Sequence, residues 1–445
     1  MPLSRSSAVV AALGLTLAAE TAAYGALIRR TDVPHAQRLM LIATPLWVLA
    51  VWLLSRCRLS ARGFTVVVLG ASAVLHLVAL TGRPSTSDDD YRYLWDGKVQ
   101  LAGIDPYRDP PSSPALAGLR EAALFGAPGH CQHAFPGGCT SINRPTVRTI
   151  YPPVAEGAFT LVRVLSFGGQ GEHLPLQLAA VLGSLVIGWL LLRWASARGR
   201  PWLAAVWAWC PIVVVEYANN AHIDWLAVLL VVLALATSAA RRPGLAGALV
   251  GAAIAVKLYP ALVLPALMRR HPFAAVGSAL GLVVLVYVPH VVAVGSAVIG
   301  YLPGYLKEEN YSSGKRLLLL GEVLPHPADT IVGVVIVGAV ALWAWLRAAP
   351  EHPERSAVVV VGVAFAVFTP SYGWYTGLLV ALVAMTGAVE WTPLAFAAVG
   401  AYLVHADHDT LIYAFAAAAV ALIAGLRLLL DQHARGRSVD LLRAR

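Results

Sequence analysis

Three consecutive aspartates, Asp88, Asp89 and Asp90, open the stretch DDDYRYLWDGKVQLAG directly after an early apolar run. Ionisable groups beside membrane-length segments are costly and usually line a pathway or a site. Helical spacing of the stretch puts Asp89, Arg92, Tyr93 and Asp96 near one face, and Asp88 close to Tyr91 and Arg92. Tyr91, Tyr93 and Trp95 are residue types that favour the headgroup level of a bilayer. A solvated helix start needs only one of these acids: Ser87 or Asp88 as cap, with the others complementing the dipole. Acids packed together also repel one another, and repulsion favours holding a proton, which suits a general base.

Five further stretches carry groups that invite a reading beyond apolar packing. CPIVVVEYANNAHIDWLAV (210–228) brings Glu216, Asn219, Asn220, His222 and Asp224 into one turn between two apolar runs. His222 and Asp224 can form a His–carboxylate pair, ligate a divalent cation or contact sugar hydroxyls; an ordinary polar turn capping the next helix is the bland alternative. Lys257 sits at the centre of the apolar stretch 244–267, with Tyr259 and Pro260 beside it. A lysine there either snorkels or meets an anion, and phosphate is the anion its compact charge suits. INRPTVRTIYPP (142–153) adds Arg144, Arg148 and Tyr151, and GYLPGYLKEENYSSGKRLLLL (300–320) adds Arg316 among acids and aromatics. Trp374 and Tyr375 of PSYGWY offer faces on which a sugar ring can stack, although an interfacial aromatic belt also accounts for them.

The elements that position these groups are membrane spans. The chain has 445 residues, 58% of them hydrophobic and 13% charged, against about a quarter charged in a soluble domain. Apolar runs of about 20 residues, enough to cross a hydrocarbon core, recur from end to end. The expected fold class is therefore an all-α polytopic membrane protein with about 12 spans, a re-entrant hairpin at 244–267 and juxtamembrane helices in its first long loop. Residues 1–81 supply three spans, 82–172 an extracytoplasmic loop, 173–430 the main bundle and 431–445 a basic cytoplasmic tail, all as one membrane domain. With 153–167 as a juxtamembrane helix, nearly all arginine clusters fall on one side, which the positive-inside rule makes the cytoplasm and the home of both termini. Arg29, Arg30 and Arg38 break the pattern. That rule accounts for the net charge of +9 better than a nucleic-acid partner does. Cys57 and Cys210 are isolated, whereas Cys131 and Cys139 share CQHAFPGGC and can close a disulfide in an oxidising compartment.

Gathered on the outer face, carboxylates and cations suit transfer of a sugar from an anionic lipid carrier. A carboxylate deprotonates the acceptor hydroxyl, and cations stabilise the departing phosphate. An acidic pair after an early span, followed by a juxtamembrane helix, resembles the GT-C class of polyprenyl-phosphate-sugar-dependent glycosyltransferases. The stretches SDDDYRYLWDGKVQLAGIDPY, TIYPPVAEGAF, CPIVVVEYANNAHIDWLAV, AVKLYPALVLP, GYLKEENYSSGKRLL and PSYGWY carry the resemblance in order from residue 87 to 375. They are most similar to the bacterial glycosyltransferase 87 and alpha-1,6-mannopyranosyltransferase-like branch. The resemblance implies inverting transfer of a hexose, mannose first, from polyprenyl phosphate to a cell-envelope glycan or glycolipid at the plasma membrane. It implies Asp88 as base and Asp89 as the supporting acid, with Asp89 as base the second choice. It further implies that Lys257 faces the lipid phosphate. Arg144, Arg148 and Arg316 are the other phosphate-binding candidates. Tyr91, Arg92, Trp95, Tyr151, Asn219, His222, Asp224, Tyr259, Trp374 and Tyr375 are the substrate-binding candidates. No metal ligands are assigned; metal dependence varies in the class, which leaves a divalent cation open as cofactor. A polyprenyl-phosphate-arabinofuranose donor, or a lipid-linked-sugar transporter or flippase, are the alternatives.

Overall fold

A computed structural model of the chain describes residues 5–28, 33–126, 131–165, 173–313, 316–404 and 409–443. Arg29, Arg30 and most of the HADHD turn, residues 405–408, lie outside them. The described residues are predominantly helical, with one β-hairpin. Three N-terminal helices, α1 (Arg5–Ile28), α2 (Val33–Arg56) and α3 (Ala61–Ala79), precede the acidic stretch, which forms α4 (Asp89–Leu101). The long loop then carries strands β1 (His133–Phe135) and β2 (Gly138–Thr140) and the helix α5 (Pro153–Leu165). Cys131 and Cys139 are joined in a disulfide across that hairpin.

The bundle follows as α6 (Leu174–Ser196), a short α7 (Ala205–Ala208), α8 (Asp224–Ala239), α9 (Pro243–Ile254), a short α10 (Leu264–Leu267) and α11 (Pro272–Val294). Two short helices, α12 (Leu302–Glu308) and α13 (Leu318–Gly321), lead to α14 (Ala328–Arg347), α15 (Pro353–Phe368), α16 (Gly377–Thr386), α17 (Thr392–Val404) and α18 (Asp409–Arg443). Prolines at the first turn start α9, α11 and α15, where their fixed φ and missing N–H cost nothing. The surfaces of α11, α14 and α18 expose Phe273, Val292, Val335 and Phe415, a pattern that fits lipid and not water.

Six of the described helices are long and apolar enough to span a bilayer, or seven if the pair Pro201–Ala208 and Val213–Asn219, bent by 57°, is one span. This supports the polytopic class, while the twelve spans expected include a segment that the structure breaks: Pro211 interrupts 201–219. The stretch 244–267, expected as a re-entrant hairpin and not as a span, is broken after Ile254 into two short turns, with Lys257 in the break. The bent segment is fixed from both sides: Trp209 Nε1 donates to the Val68 carbonyl of α3, and Trp207 Nε1 to the Ser184 carbonyl of α6, each at 3.1 Å. α9 and α11 approach closely because Gly247 and Gly251 leave room; a Cβ on either would fall within 2.4 Å of the Ala275 or Ala279 carbonyl oxygen.

Candidate active site

α4 and α5 form the floor on which the acids stand. Gly97 lets them touch, since a Cβ there would lie 2.7 Å from the Phe159 carbonyl oxygen. Tyr93 stacks on Phe159 with ring centroids 4.3 Å apart and meets Tyr151 edge-on at 5.1 Å. Behind this aromatic contact lies a buried polar knot. Arg92 Nε donates to both Asp96 oxygens at 2.9 Å. Glu156 accepts from Thr149 Oγ1 at 2.7 Å and from Gln100 Nε2 at 2.9 Å. Burial, with Asp96 beside it, drives the Glu156 carboxyl well above the usual carboxylate range. Arg92 Nη2 is buried without a hydrogen bond.

The three aspartates separate. Ser87 Oγ accepts from the Asp89 amide at 3.1 Å and so caps α4, leaving the Asp88 side chain free of that task. Asn143 Nδ2 donates to Asp88 Oδ1 at 2.9 Å and to Asp89 Oδ1 at 2.6 Å, which ties the two carboxylates together. His133 Nε2 stands 2.5 Å from Asp88 Oδ2. Asp89 Oδ2 is 3.7 Å from His222 Nδ1. Asp90 points elsewhere: it is fully buried and pairs with His173 at the start of α6. Burial raises its carboxyl above the ordinary range, and His173 opposes the rise.

A second row lies beneath the pair. The turn Val213–Asn219 widens to π-type spacing, a departure often seen at sites, and it presents Glu216 and Asn219, with Asn220 directly after it. Thr86 Oγ1 donates to Glu216 Oε2 at 2.8 Å, and that oxygen is 3.5 Å from His222 Nε2. The His222 ring stacks on Trp374 with centroids 4.0 Å apart. Asn220 Oδ1 accepts from the Ser85 and Thr86 amides, and Asn219 Nδ2 donates to the Ala79 and Gly82 carbonyls. Asn219 and Asn220 thus clamp the chain that leads into the aspartates.

The cations come from other elements. Lys257 Nζ is 3.5 Å from Asp224 Oδ2 and lies 5.2 Å and 5.0 Å from the ring centroids of Tyr151 and Tyr375. Both Asp224 oxygens are buried without a hydrogen bond, so this lysine is their principal compensation. Arg144 makes a two-pronged contact with Glu308, at 3.0 Å from Nε and 2.5 Å from Nη2. The hydrogen bond lowers the Glu308 carboxyl below its ordinary value. Arg148 Nε donates to the Arg108 carbonyl at 3.0 Å. Arg316 is bound to Ser371 Oγ and lies 3.5 Å from Glu309, which also accepts from Tyr372 at 2.8 Å.

These groups surround one cavity of about 870 Å³. Of the residues expected from the sequence, Asp88, Asp89, Arg92, Arg144, Arg148, Tyr151, Lys257, Tyr259, Arg316, Trp374 and Tyr375 line it. Asn219, His222 and Asp224 stand behind its wall, fully buried. Trp95 is buried against Phe125, and Tyr91 packs edge-on to His173. His133, Asn143, Tyr305, Glu309 and Tyr372 also line the cavity; Tyr305, Glu309 and Tyr372 fall in the acidic and aromatic stretches 300–320 and 370–375, whereas the sequence assigns no role to His133 or Asn143. Spacing gives no signal for them, because each acquires its place through a contact distant in sequence. Among the described residues no group of three or more His, Cys, Asp or Glu side chains stands close enough to hold a metal ion.

Residues 150–370 match the family model described as Glycosyltransferase family 87. The matched region begins after the aspartates and includes Tyr151, Asn219, His222, Asp224, Lys257, Tyr259 and Arg316. No curated protein and no solved structure matches the chain.

Proposed function

We propose that the chain is a membrane glycosyltransferase, a reading supported by the match of residues 150–370 to the model of glycosyltransferase family 87, and from that premise we propose what it transfers and how. The donor is a polyprenyl-phosphate hexose, mannose first, and the acceptor is a hydroxyl of a cell-envelope glycan or glycolipid. We place the site on the extracytoplasmic side of the plasma membrane, with both termini in the cytoplasm, a reading that the arginine distribution supports. The observation that carries the reading is the shared cavity: a carboxylate pair held by one amide, and cations from separate elements, together with apolar Leu258, Leu262, Val298, Leu306 and Phe365. An isoprenoid chain needs such apolar lining and a phosphate needs the cations.

Asp88 is the base. Its side chain is 29% exposed against 16% for Asp89, so it presents more of itself to an acceptor. It takes the proton of the acceptor hydroxyl as that oxygen attacks the anomeric carbon. The bond from that carbon to the phosphate oxygen breaks, and the polyprenyl phosphate leaves with the electron pair. Lys257 meets the charge that grows on the phosphate; among the four cations proposed for this task it has no hydrogen bond to a protein group. Asp89 supports through the Asn143 it shares with Asp88. Direct displacement inverts the anomeric centre.

The test is transfer in proteoliposomes from mannosyl, glucosyl and arabinofuranosyl polyprenyl phosphates, with product configuration read by NMR and donor movement across the bilayer measured in parallel. Inverted mannoside supports the reading. Arabinoside or glucoside replaces the donor, and donor movement without product replaces the enzyme by a transporter.

A further inference from the structure

The hairpin closed by Cys131 and Cys139 has no part in the reaction as drawn, yet it delivers a side chain to the base. β1 and β2 pair over three residues each, with His133 opposite Thr140, Ala134 opposite Cys139 and Phe135 opposite Gly138. A two-stranded ribbon this short does not hold itself together. β2 and the residue after it are anchored to the rest of the loop: Thr140 Oγ1 donates to the Leu124 carbonyl at 2.5 Å, and the Ser141 amide donates to the same oxygen at 2.9 Å. β1 carries His133 and is joined to the anchored strand by the ladder and by the disulfide two residues before His133. At the other end of this lever, Asp88 Oδ1 has an amide that it shares with Asp89, while Oδ2 has His133. Remove His133 and the carboxylate is free to turn about its one remaining contact.

We infer that His133 is a positioning residue that fixes the carboxylate plane of Asp88, and that the Cys131–Cys139 disulfide holds His133 there, so that transfer requires the oxidised hairpin. The inference rests on the transferase reading of Asp88. It ties the enzyme to an oxidising compartment through catalysis, not through folding alone. Reduction by tris(2-carboxyethyl)phosphine breaks the S–S bond and leaves two thiols; the phosphine becomes its oxide, with water supplying the oxygen and the protons.

Steady-state kinetics of purified protein in nanodiscs test it, with wild type, His133→Ala, His133→Gln and the double variant Cys131→Ser with Cys139→Ser, each before and after reduction. Reduction of wild type is expected to lower kcat by about tenfold to a hundredfold with KM unchanged, the scale set by a misplaced catalytic group. The double variant should match reduced wild type and ignore the phosphine. His133→Ala should show the same loss and no further loss on reduction, whereas His133→Gln, which can still donate to Oδ2, should recover much of the rate. Full activity in reduced wild type, or an equal further loss on reducing His133→Ala, would overturn the inference. Cryo-EM of oxidised and reduced protein reads the His133–Asp88 contact without reference to turnover. A contact unmoved by reduction overturns this inference even if no donor is used, while absence of transfer from every donor with a contact that moves overturns only the transferase reading.

Discussion

Replacing Lys257 separates a structural charge from a catalytic one. The lysine and Asp224 stand 3.5 Å apart, with Asp224 wholly buried and neither of its oxygens hydrogen-bonded. At an effective dielectric of about 20 their attraction is roughly 5 kcal/mol. Desolvation offsets part of this, and deleting one partner of a buried pair costs about 3–5 kcal/mol because the other charge is stranded. Lys257→Met should therefore lower the thermal transition as well as transfer. Lys257→Met combined with Asp224→Asn strands no charge and should regain most of the lost stability. Transfer should not return with it. Losing the group that meets the leaving phosphate costs about a hundredfold to a thousandfold in kcat, and no neighbour replaces it, because the proposed arginines are already engaged by Glu308, the Arg108 carbonyl and Ser371. The assay is transfer in nanodiscs beside differential scanning fluorimetry for the two single variants and the double. If the double variant recovers transfer along with stability, Lys257 serves only to neutralise Asp224 and the phosphate assignment is wrong.

Asn143→Ala should cost more transfer than loss of one contact implies, since one amide holds both aspartates; kcat is expected to fall by about a hundredfold, and a wild-type rate would remove it from the site. Arg144→Ala should reduce transfer less than Lys257→Met, as its donors are spent on Glu308, and should change stability by about 1 kcal/mol or less because the pair is partly exposed. That small contribution is present above the unfolded carboxylate pKa and is lost as pH falls through the depressed Glu308 value. Glu156 has the opposite sign. Its folded value is raised, so its contribution is fully present below the unfolded pKa and fades as pH rises through the folded one. Glu156→Gln should therefore flatten the fall of stability above the unfolded carboxylate pKa, measured as thermal transition against pH, and an unchanged slope would mean that the Glu156 carboxyl is not raised.

The class of fold was legible because hydrocarbon imposes length and apolarity on each span, and those are properties of the chain alone. The span count was less legible. Pro211 in 201–219 divides an apolar run into pieces too short to cross unaided, and hydropathy is blind to where a helix bends. The acidic stretch announced a site, but periodicity could not tell Asp90 from its neighbours. Its partner, His173, is brought to it by the start of α6. His133 and Asn143 were hidden for the same reason: both are 45 or more residues from the aspartates they touch. The CQHAFPGGC loop was readable as a candidate disulfide, yet nothing in it shows that closing the ring sets a histidine on a carboxylate. Lys257 was the clearest signal, since a charge inside an apolar run demands a partner, although the sequence offers that partner, Asp224, equally to His222, a divalent cation or sugar hydroxyls.

The most direct test of the central claim is transfer of labelled mannose from polyprenyl-phosphate mannose to a short mannoside, by purified wild type beside Asp88→Asn and Asp89→Asn in nanodiscs. Wild type should transfer, and Asp88→Asn should lose about a hundredfold or more of kcat with the protein still folded, while Asp89→Asn loses less. A deeper loss in Asp89→Asn would move the base one residue along. Transfer undiminished in both variants would contradict the account, since the cavity would then be doing its chemistry without the carboxylates that define it.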